Sequence, residues 1–311
     1  MLAGRISALA GAVAWATSGV VVKTVTSSVT AVQIAAVYNW VALAMILPIV
    51  AISGQLDDLF AIRGPSAAWL LGASALFTAS DLAFLRLLAL GAVGWTFVTT
   101  TSLFILFSLV AGVVLLDDSV TWTASAGAAA IVGGIYLINQ RRKDDPVPGA
   151  GAPTASATAP PSEAGASLRR RSLATRLTVS AGIALFWTTG LLFTDVGVED
   201  VDPFAAAALV GVVPAMAYAL LATRLRAVRP PRLSGRDLRR LIASALCFGA
   251  SAMGFIYAVK FETAGITAIL TSSSPLFAVI LAALFLKERM SRPAMAGVVL
   301  CLAGIGAVLA R

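Results

Sequence analysis

The feature that most constrains the fold of this chain is an internal repeat. Residues 5–29 align with residues 176–200 at a constant offset of 171, and residues 101–134 align with residues 271–304 at an offset of 170. Each copy contains five apolar stretches, so a unit of five stretches occurs twice. The matched pairs are Arg5/Arg176, Ala10/Ala181, Gly11/Gly182, Thr17/Thr188, Gly19/Gly190, Thr101/Thr271, Ser102/Ser272, Leu106/Leu276, Phe107/Phe277, Leu116/Leu286, Gly127/Gly297 and Gly134/Gly304.

The apolar stretches have the length of membrane-spanning helices. Hydrophobic residues make up 59% of the 311 residues and charged residues 12%, which lies outside the range of ordinary soluble domains. A helical run of about 20 residues crosses the roughly 30 Å of bilayer hydrocarbon. We predict ten spans, at residues 6–25, 32–52, 67–89, 93–116, 120–139, 175–195, 203–223, 238–259, 264–286 and 291–310.

The odd number of spans in each copy determines how the two copies are oriented. After five crossings the second copy starts from the opposite side of the membrane, so the halves are inverted. The predicted fold is an all-α membrane protein whose ten transmembrane helices form two inverted five-helix repeats. We predict a first repeat at 1–139, a flexible linker rich in Pro, Ala, Gly, Ser and Thr at 140–174, and a second repeat at 175–311. Inverted repeats are typical of secondary transporters, which bind substrate near the bilayer midplane.

The basic residues are concentrated on one side of the predicted membrane. Of the 23 Lys and Arg residues, 19 lie on the side of the linker and 4 on the side of the two termini. Cytoplasmic loops collect Lys and Arg, so we predict a cytoplasmic linker and periplasmic N- and C-termini. The excess of Arg over Lys favours a bacterial source and hence the bacterial cytoplasmic (inner) membrane. The same distribution explains the net charge of +8 by orientation and lipid contact, so no nucleic-acid partner is predicted.

Several classes of site are excluded by composition. The chain has no His, so a His-ligated metal site is excluded, and no cofactor is predicted. Cys247 and Cys301 both lie inside predicted spans, which argues against a disulfide framework. No catalytic constellation or nucleotide-binding loop is present, so the chain is not predicted to be an enzyme, and a membrane-embedded enzyme is kept only as the less favoured alternative. The lack of charged rings argues against an open pore.

Three local motifs accompany the repeat. Residues 15–19 read Trp-Ala-Thr-Ser-Gly, residues 271–277 read Thr-Ser-Ser-Ser-Pro-Leu-Phe, and residues 286–291 read Leu-Lys-Glu-Arg-Met-Ser. Together with the repeat, these motifs resemble the drug/metabolite transporter superfamily, specifically its ten-helix members with two EamA-type halves. The first half departs from that pattern at Asp117-Asp118, which stands in place of a Gly-Glu-Arg-like sequence.

The resemblance carries expectations about architecture and substrate. It implies a central cavity lined by transmembrane helices 1, 3, 4, 6, 8 and 9, with helices 5 and 10 outside. Members of the superfamily export amino acids and other metabolites or carry nucleotide sugars, so the fold alone leaves the substrate open. The aromatic residues expected in the cavity make the chain most similar to the branch that exports aromatic and neutral amino acids.

Asp81, in span 3, is the acidic residue that lies deepest in a predicted span. A carboxylate at the hydrocarbon centre costs about 2.5–3.5 kcal/mol on insertion scales, so we expect it to face the bundle interior. One hypothesis is that Asp81 holds a substrate ammonium group or takes up a proton during transport. The alternative is a structural ion pair with Arg86, or hydrogen bonds to neighbouring hydroxyls; the spacing to Arg86 is poor for a pair on one helix.

Two runs of hydroxyl residues, 99–102 and 271–274, occupy equivalent places in the repeats. Pro275 has no N–H, which frees the carbonyl of Thr271, so we expect a kink in the helix there. One interpretation is a neutral polar lining suited to a carboxylate, an amine or water. The other is that the hydroxyls bond to the preceding helical turn and only join helices together.

Three Trp residues are candidates for the cavity wall. Trp15 and Trp187 lie in the middle of spans 1 and 6 at nearly equivalent places in the repeat, where an interfacial belt does not explain them. Each either lines the cavity, packs between helices or faces lipid. Trp95, near the start of span 4, either closes one end of the cavity or belongs to the interfacial belt.

These patterns predict a secondary transporter that exports small metabolites, foremost aromatic and neutral amino acids, by alternating access. A multidrug or organic-cation exporter is the alternative, because one acidic residue and several aromatic residues also suit a cation. The partners predicted are a small-molecule substrate and the lipid bilayer, with a monomer favoured over a dimer. The predicted substrate-binding residues are Trp15, Ser18, Asn39, Thr78, Asp81, Trp95, Thr99, Ser102, Trp187, Tyr257, Thr271, Ser272 and Ser274.

Overall fold

The computed structural model of the chain is helical, and the residues that it describes contain no strand. It describes residues 2–25, 29–89, 93–115, 121–138, 163–224, 233–285 and 292–310. The helices are α1 (Leu2–Lys23), α2 (Ala31–Ile52), α3 (Leu56–Ala61), α4 (Gly64–Ala89), α5 (Val93–Leu115), α6 (Trp122–Ile138), α7 (Glu163–Val198), α8 (Pro203–Arg224), α9 (Gly235–Phe261), α10 (Ala264–Thr271), α11 (Ser274–Phe285) and α12 (Arg292–Leu309).

The helices account for each of the ten predicted spans. Within the described ranges, seven helices are long and apolar enough to cross a membrane, judged by length and composition. Shorter apolar helices at 99–115, 122–138 and 264–278 lie where spans 4, 5 and 9 are predicted, and the ten-helix fold is confirmed. Large apolar side chains such as Ile52 and Leu220 are exposed, as expected of a surface covered by lipid.

Helix α7 begins earlier than the hydropathy pattern predicts. It starts at Glu163, so residues 163–174 are helical where we predict part of a flexible linker. The segment is rich in Ala, Leu and Arg, which favour helix, and Glu163 places a negative charge in the first turn. A hydropathy window detects only apolar turns and therefore misses this charged extension. The rest of the predicted linker lies outside the described residues.

Helices α6 and α12, the last helix of each half, pack with their backbones almost in contact. An ideal Cβ on Gly134 would lie 2.6 Å from the carbonyl oxygen of Gly297, and one on Gly127 would lie 2.8 Å from that of Gly304. Only glycine permits such an approach. The pairing also reverses order along the two helices, so these equivalent helices are antiparallel. Antiparallel packing of equivalent helices is the structural expression of inverted repeats.

The two halves contact each other along two helix pairs, which we call seams. The first seam is the contact between α1 and α9. The Ser7 hydroxyl donates to the carbonyl oxygen of Gly254 at 3.1 Å, and a Cβ on Gly254 would lie 3.0 Å from the carbonyl oxygen of Ser7. Further along, a Cβ on Gly11 would lie 3.3 Å from the carbonyl oxygen of Ser251. Small residues therefore allow α1 and α9 to run antiparallel in close contact.

A second seam joins α4 to α7. A Cβ on Gly190 would lie 2.8 Å from Cε1 of Phe77, and one on Gly197 would lie 2.8 Å from Cγ of Leu70. The repeat relates α1 to α7 and α9 to α4, so the two seams are equivalent. Each joins the first helix of one half to the third spanning helix of the other, and the halves are interlocked by two matching contacts.

The ninth span is broken into two helices. Helix α10 ends at Thr271 and α11 begins at Ser274, with Pro275 in its first turn. The N–H of Ser273 bonds to the carbonyl of Leu270 at 3.2 Å, and the N–H of Leu276 bonds to the carbonyl of Ser273 at 3.0 Å. Because Pro275 has no N–H, the carbonyl of Thr271 lacks the donor that an unbroken helix would supply. The break therefore leaves polar backbone groups inside the membrane region.

Candidate substrate-binding site

Asp81 and Trp187 meet across the second seam. The indole Nε1–H of Trp187 donates to Oδ1 of Asp81 at 3.2 Å. The two side chains come from opposite halves of the protein, α4 and α7. The approach of α7 to α4 is possible because Gly190, three residues after Trp187, leaves room for the ring of Phe77. The repeat glycine thus positions the indole beside the carboxylate.

Two aromatic rings pack against the indole of Trp187. Its centroid lies 5.2 Å from that of Phe84 and 5.9 Å from that of Phe104, the latter in an edge-to-face arrangement. Asp81 is half-buried, and the side chain of Arg86 lies outside the described residues. The result is a carboxylate next to an apolar aromatic wall, with one neutral hydrogen-bond donor attached.

A second polar group, the hydroxyl cluster of Ser18, Tyr38 and Ser244, lies on the first seam. Ser18 Oγ donates to Tyr38 Oη at 3.0 Å, Tyr38 and Ser244 share a short hydrogen bond, and Ser244 Oγ donates to the carbonyl of Ser18 at 2.8 Å. Each hydroxyl has one proton, so these bonds form a consistent chain from Ser18 to Tyr38 to Ser244. The cluster joins α1, α2 and α9 and is buried.

Trp15 lies beside the hydroxyl cluster and not beside Asp81. Its ring centroid is 5.6 Å from that of Phe248, which in turn is 5.0 Å from that of Tyr38. The predicted candidates Trp15 and Trp187 therefore belong to different seams. Each is packed against aromatic rings of the opposite half, and both remain partly exposed.

The helix break carries hydroxyls without partners among the described residues. Ser272 is 4% exposed, and its Oγ has no hydrogen bond; the same holds for Oγ of Ser102. A Cβ on Gly265 would lie 3.1 Å from Cδ2 of Leu109, so α10 packs against α5. Ser102 and Ser272, the two residues with unpartnered hydroxyls, are equivalent in the repeat. Ser274 is also buried, at 7% exposed.

Three predicted residues bond within their own helices. Their side chains bond to carbonyls of the preceding turn, and for Thr271 this agrees with the alternative interpretation of the hydroxyl runs. The bonds are Asn39 Nδ2 to the carbonyl of Ala35 at 2.8 Å, Thr78 Oγ1 to that of Ser74 at 2.7 Å and Thr271 Oγ1 to that of Thr267 at 2.7 Å.

The remaining predicted residues are not brought to Asp81 by the described contacts. Tyr257 stacks with Phe204 at 6.0 Å and Phe261 at 4.7 Å between ring centroids, at the end of α9 that leads to α10. Thr99 is half-buried, and the side chain of Trp95 lies outside the described residues. The candidates thus divide among the Asp81–Trp187 pair, the hydroxyl cluster and the helix break.

Several residues of these groups were missed by sequence reasoning. Tyr38, Ser244 and Phe248 complete the cluster on the first seam, and Phe84 and Phe104 pack against Trp187. The repeat contains a signal that points to some of these aromatic residues, because the offset of 171 also aligns α4 with α9. The aligned pairs are Phe77/Phe248, Ala79/Ala250, Ser80/Ser251 and Phe84/Phe255.

Two inverted five-helix halves, interlocked along matching seams with polar groups inside the membrane region, define a multi-pass membrane transporter. The chain belongs to the EamA-like transporter family, whose model matches residues 2–140 and 177–310. The resemblance to the drug/metabolite transporter superfamily, with two EamA-type repeats, is thereby confirmed. The family points to transport of a small molecule across a lipid bilayer rather than to an enzyme. The branch that exports amino acids remains a prediction.

The fold recurs in a solved structure described only as "Crystal structure of protein". It has a TM-score of 0.74 with this chain at 14% sequence identity, and the match covers 98% of this chain and 95% of that one. At this identity the likeness concerns the fold alone. No curated protein matches this chain.

Proposed function

We propose that this transporter exports small metabolites that carry an ammonium group, foremost aromatic and neutral amino acids, by alternating access. The observation that carries the proposal is the Asp81 carboxylate, held at 3.2 Å by the Trp187 indole between the two halves. A substrate bound there touches both halves at once, as alternating access requires.

Asp81 suits a substrate ammonium group. A carboxylate accepts up to about four hydrogen bonds, and the Trp187 indole supplies one. An ammonium group can donate to the remaining lone pairs and offset the cost of keeping the carboxylate out of water. The neutral indole keeps the carboxylate in place without cancelling its charge.

The aromatic rings suit an apolar or aromatic substrate side chain. Phe84, Phe104 and Trp187 form a wall next to Asp81, and ring contacts of this kind contribute about 0.5–1.5 kcal/mol each beyond area burial. The helix break, with the unpartnered hydroxyl of Ser272, is a separate polar feature that no described contact joins to Asp81.

Proton coupling follows from the same residue. If Asp81 takes up a proton when substrate leaves and releases it when substrate binds, substrate and proton exchange in opposite directions. The inward proton gradient then drives export.

Counterflow in proteoliposomes tests the substrate class. We expect unlabelled substrate inside to stimulate uptake of labelled phenylalanine and leucine by wild-type protein. Trp187→Ala should reduce this uptake at least about tenfold, because it removes both the indole donor and the aromatic wall. Trp15→Ala measures what the ring on the first seam contributes.

The matched control is Trp122→Ala. Trp122 is 84% exposed at the start of α6, so the substitution makes the same chemical change at an exposed position away from Asp81 and should leave exchange unchanged. Folded wild-type protein that exchanges no amino acid contradicts the proposal.

An organic-cation exporter is the second candidate. It is favoured by the same pairing of a carboxylate with aromatic rings, which attract cations through the ring faces. A quaternary ammonium compound without a carboxylate group distinguishes the two. Exchange of such a compound in the absence of amino acid exchange replaces the first proposal with the second.

We further propose that the protein lies as a monomer in a bacterial inner membrane, with a cytoplasmic linker between repeats at 1–139 and 175–311 and with both termini in the periplasm. The charge distribution supports this orientation. Alkaline phosphatase fused after Arg311 should be active, and the same reporter inserted in the linker should be inactive. The reverse result inverts the orientation.

A further inference from the structure

One membrane face of the bundle carries a buried ion pair outside the proposed substrate site. We call this the termini face; it comprises the start of α1, residues 53–63, 199–202 and 262–263, and the end of α12. Nε of Arg5 lies 2.9 Å from Oε1 of Glu262, and the two side chains are 9% and 3% exposed. Arg5 belongs to the first half and Glu262 to the second, so the ion pair bridges the halves.

The packing around the pair shows how closely the halves approach. A Cβ on Gly4 would lie 2.9 Å from Cγ of Glu262. Nη1 of Arg5 also donates to the carbonyl oxygen of Leu309 at 3.1 Å, near the negative C-terminal end of α12. Arg5 thus ties α1 to two separate elements of the second half.

A second polar contact bridges the halves on the same face. Nε2 of Gln55 donates to Oδ2 of Asp202 at 2.8 Å. The other oxygen of Asp202 accepts from the backbone N–H groups of Phe204 and Ala205, at 2.8 and 3.1 Å, which fixes the carboxylate at the start of α8. Two separate polar contacts therefore join the halves at the termini face.

The opposite end of the first seam is joined by different chemistry. There the hydroxyl cluster of Ser18, Tyr38 and Ser244 links α1, α2 and α9 through neutral groups. Neutral hydroxyls exchange their mutual bonds for bonds to water at little net cost. A buried ion pair is costly to break when one charge stays buried without the other. The free-energy cost of separating the helices therefore differs between the two ends of the first seam.

We propose that the Arg5–Glu262 ion pair is the gate tie of the termini face: it holds that face closed in this structure and breaks whenever the face opens. The inference rests on the alternating-access part of the proposed function. Loss of the Glu262 charge removes the ionic contact with Arg5 that joins the halves at 2.9 Å in this structure, and so removes part of what stabilises the closed state. Glu262→Gln therefore shifts the population toward the state that is open at the termini face.

Cysteine labelling measures that shift without any substrate. The native Cys247 and Cys301 are replaced by Ala, and Ser7→Cys places a reporter below the ion pair on the first seam. In lipid nanodiscs, a membrane-impermeant maleimide reacts with this reporter when the termini face opens. We expect Glu262→Gln to raise the labelling rate about tenfold. Glu199→Gln, the same substitution at an exposed position of the same face, should leave the rate unchanged.

A second variant guards against misfolding. If Glu262→Gln does not yield a monodisperse protein, the double variant Arg5→Gln/Glu262→Gln removes both charges and should also raise labelling. Equal rates in wild type and in a folded variant overturn the gate tie. If labelling rises in a protein that exchanges no amino acid, the gate tie is supported and the substrate proposal is rejected. If amino acid exchange is normal and labelling is unchanged, the substrate proposal is supported and the gate tie is rejected.

Discussion

The two seams between the halves are equivalent by the repeat but carry different chemistry. In the second seam, Trp187 donates to Asp81. At an offset of 171, the corresponding residues of the first seam are Ala16 and Ala252. The aromatic scaffold is shared, since Phe77 and Phe84 of α4 match Phe248 and Phe255 of α9. The comparison teaches that the repeat supplies the packing, and that the candidate site arises where one copy departs from the other.

The largest effect is expected from removing the charge that distinguishes the second seam. Asp81→Asn should lower kcat/KM at least about a hundredfold, because it removes the group proposed to hold the ammonium. Any residual flux should be independent of the proton gradient. Counterflow and gradient-driven export at several pH values measure both.

Ser80→Ala is the matched control for Asp81→Asn. Ser80 is buried next to Asp81, and its hydroxyl bonds only to carbonyls of its own helix, those of Leu76 and Phe77. The substitution should leave flux and pH dependence unchanged. Normal flux with unchanged pH dependence in Asp81→Asn would show that the two seams do not differ in function.

The next effect concerns the close packing of the first seam. Gly254→Val should destabilise the protein by about 1–3 kcal/mol through overpacking, because even a Cβ at this position lies 3.0 Å from the carbonyl oxygen of Ser7. Thermal unfolding in detergent measures the loss. Gly182→Val on α7, where nothing lies within 4 Å of an added Cβ, should change the melting temperature little; equal losses would refute the steric explanation.

A smaller effect separates the indole donor from the indole ring. Trp187→Phe keeps an aromatic ring against Phe84 and Phe104 but removes the hydrogen bond to Asp81. Since hydrogen bonds to charged groups contribute about 1.5–3 kcal/mol, we expect kcat/KM to fall about tenfold. Counterflow kinetics should show Trp187→Phe between wild type and Trp187→Ala, and an effect as large as that of Trp187→Ala would assign no role to the ring.

The smallest effect belongs to the hydroxyl cluster. Tyr38→Phe removes one hydroxyl from the chain between Ser18 and Ser244 and should cost about 1 kcal/mol of stability. Substrate preference should not change, because the cluster lies on the first seam away from Asp81. A change in which amino acids exchange would move the substrate site toward Trp15.

The sequence predicts the architecture well because its signals are local or repeated. Apolar runs of fixed length mark the spans, and the odd repeat determines the inversion. The helix break also follows from local chemistry, since Pro275 cannot donate to the carbonyl of Thr271. The helical start of α7 at Glu163 escapes the same reasoning, because charged residues with good helix propensity leave no trace in hydropathy.

The contact partners of individual side chains could not be predicted from the sequence in the same way. Asp81 stands out because a lone acid in an apolar helix is costly, but nothing local identifies Trp187 as its donor. Arg5 and Glu262 are 257 positions apart, and each looks like an ordinary charged residue near a helix end. Such pairs depend on which helices become neighbours, and that requires the packing of the whole bundle.

The glycine contact between α6 and α12 has a consequence for assembly. Gly127 meets Gly304 while Gly134 meets Gly297, and Gly127 and Gly134 are the repeat equivalents of Gly297 and Gly304. The contact is thus self-complementary, like the interface of a symmetric dimer in which the same patch faces itself. The fused chain therefore preserves the geometry of two separate five-helix subunits inserted in opposite directions, and the halves expressed as two polypeptides should find each other through this interface.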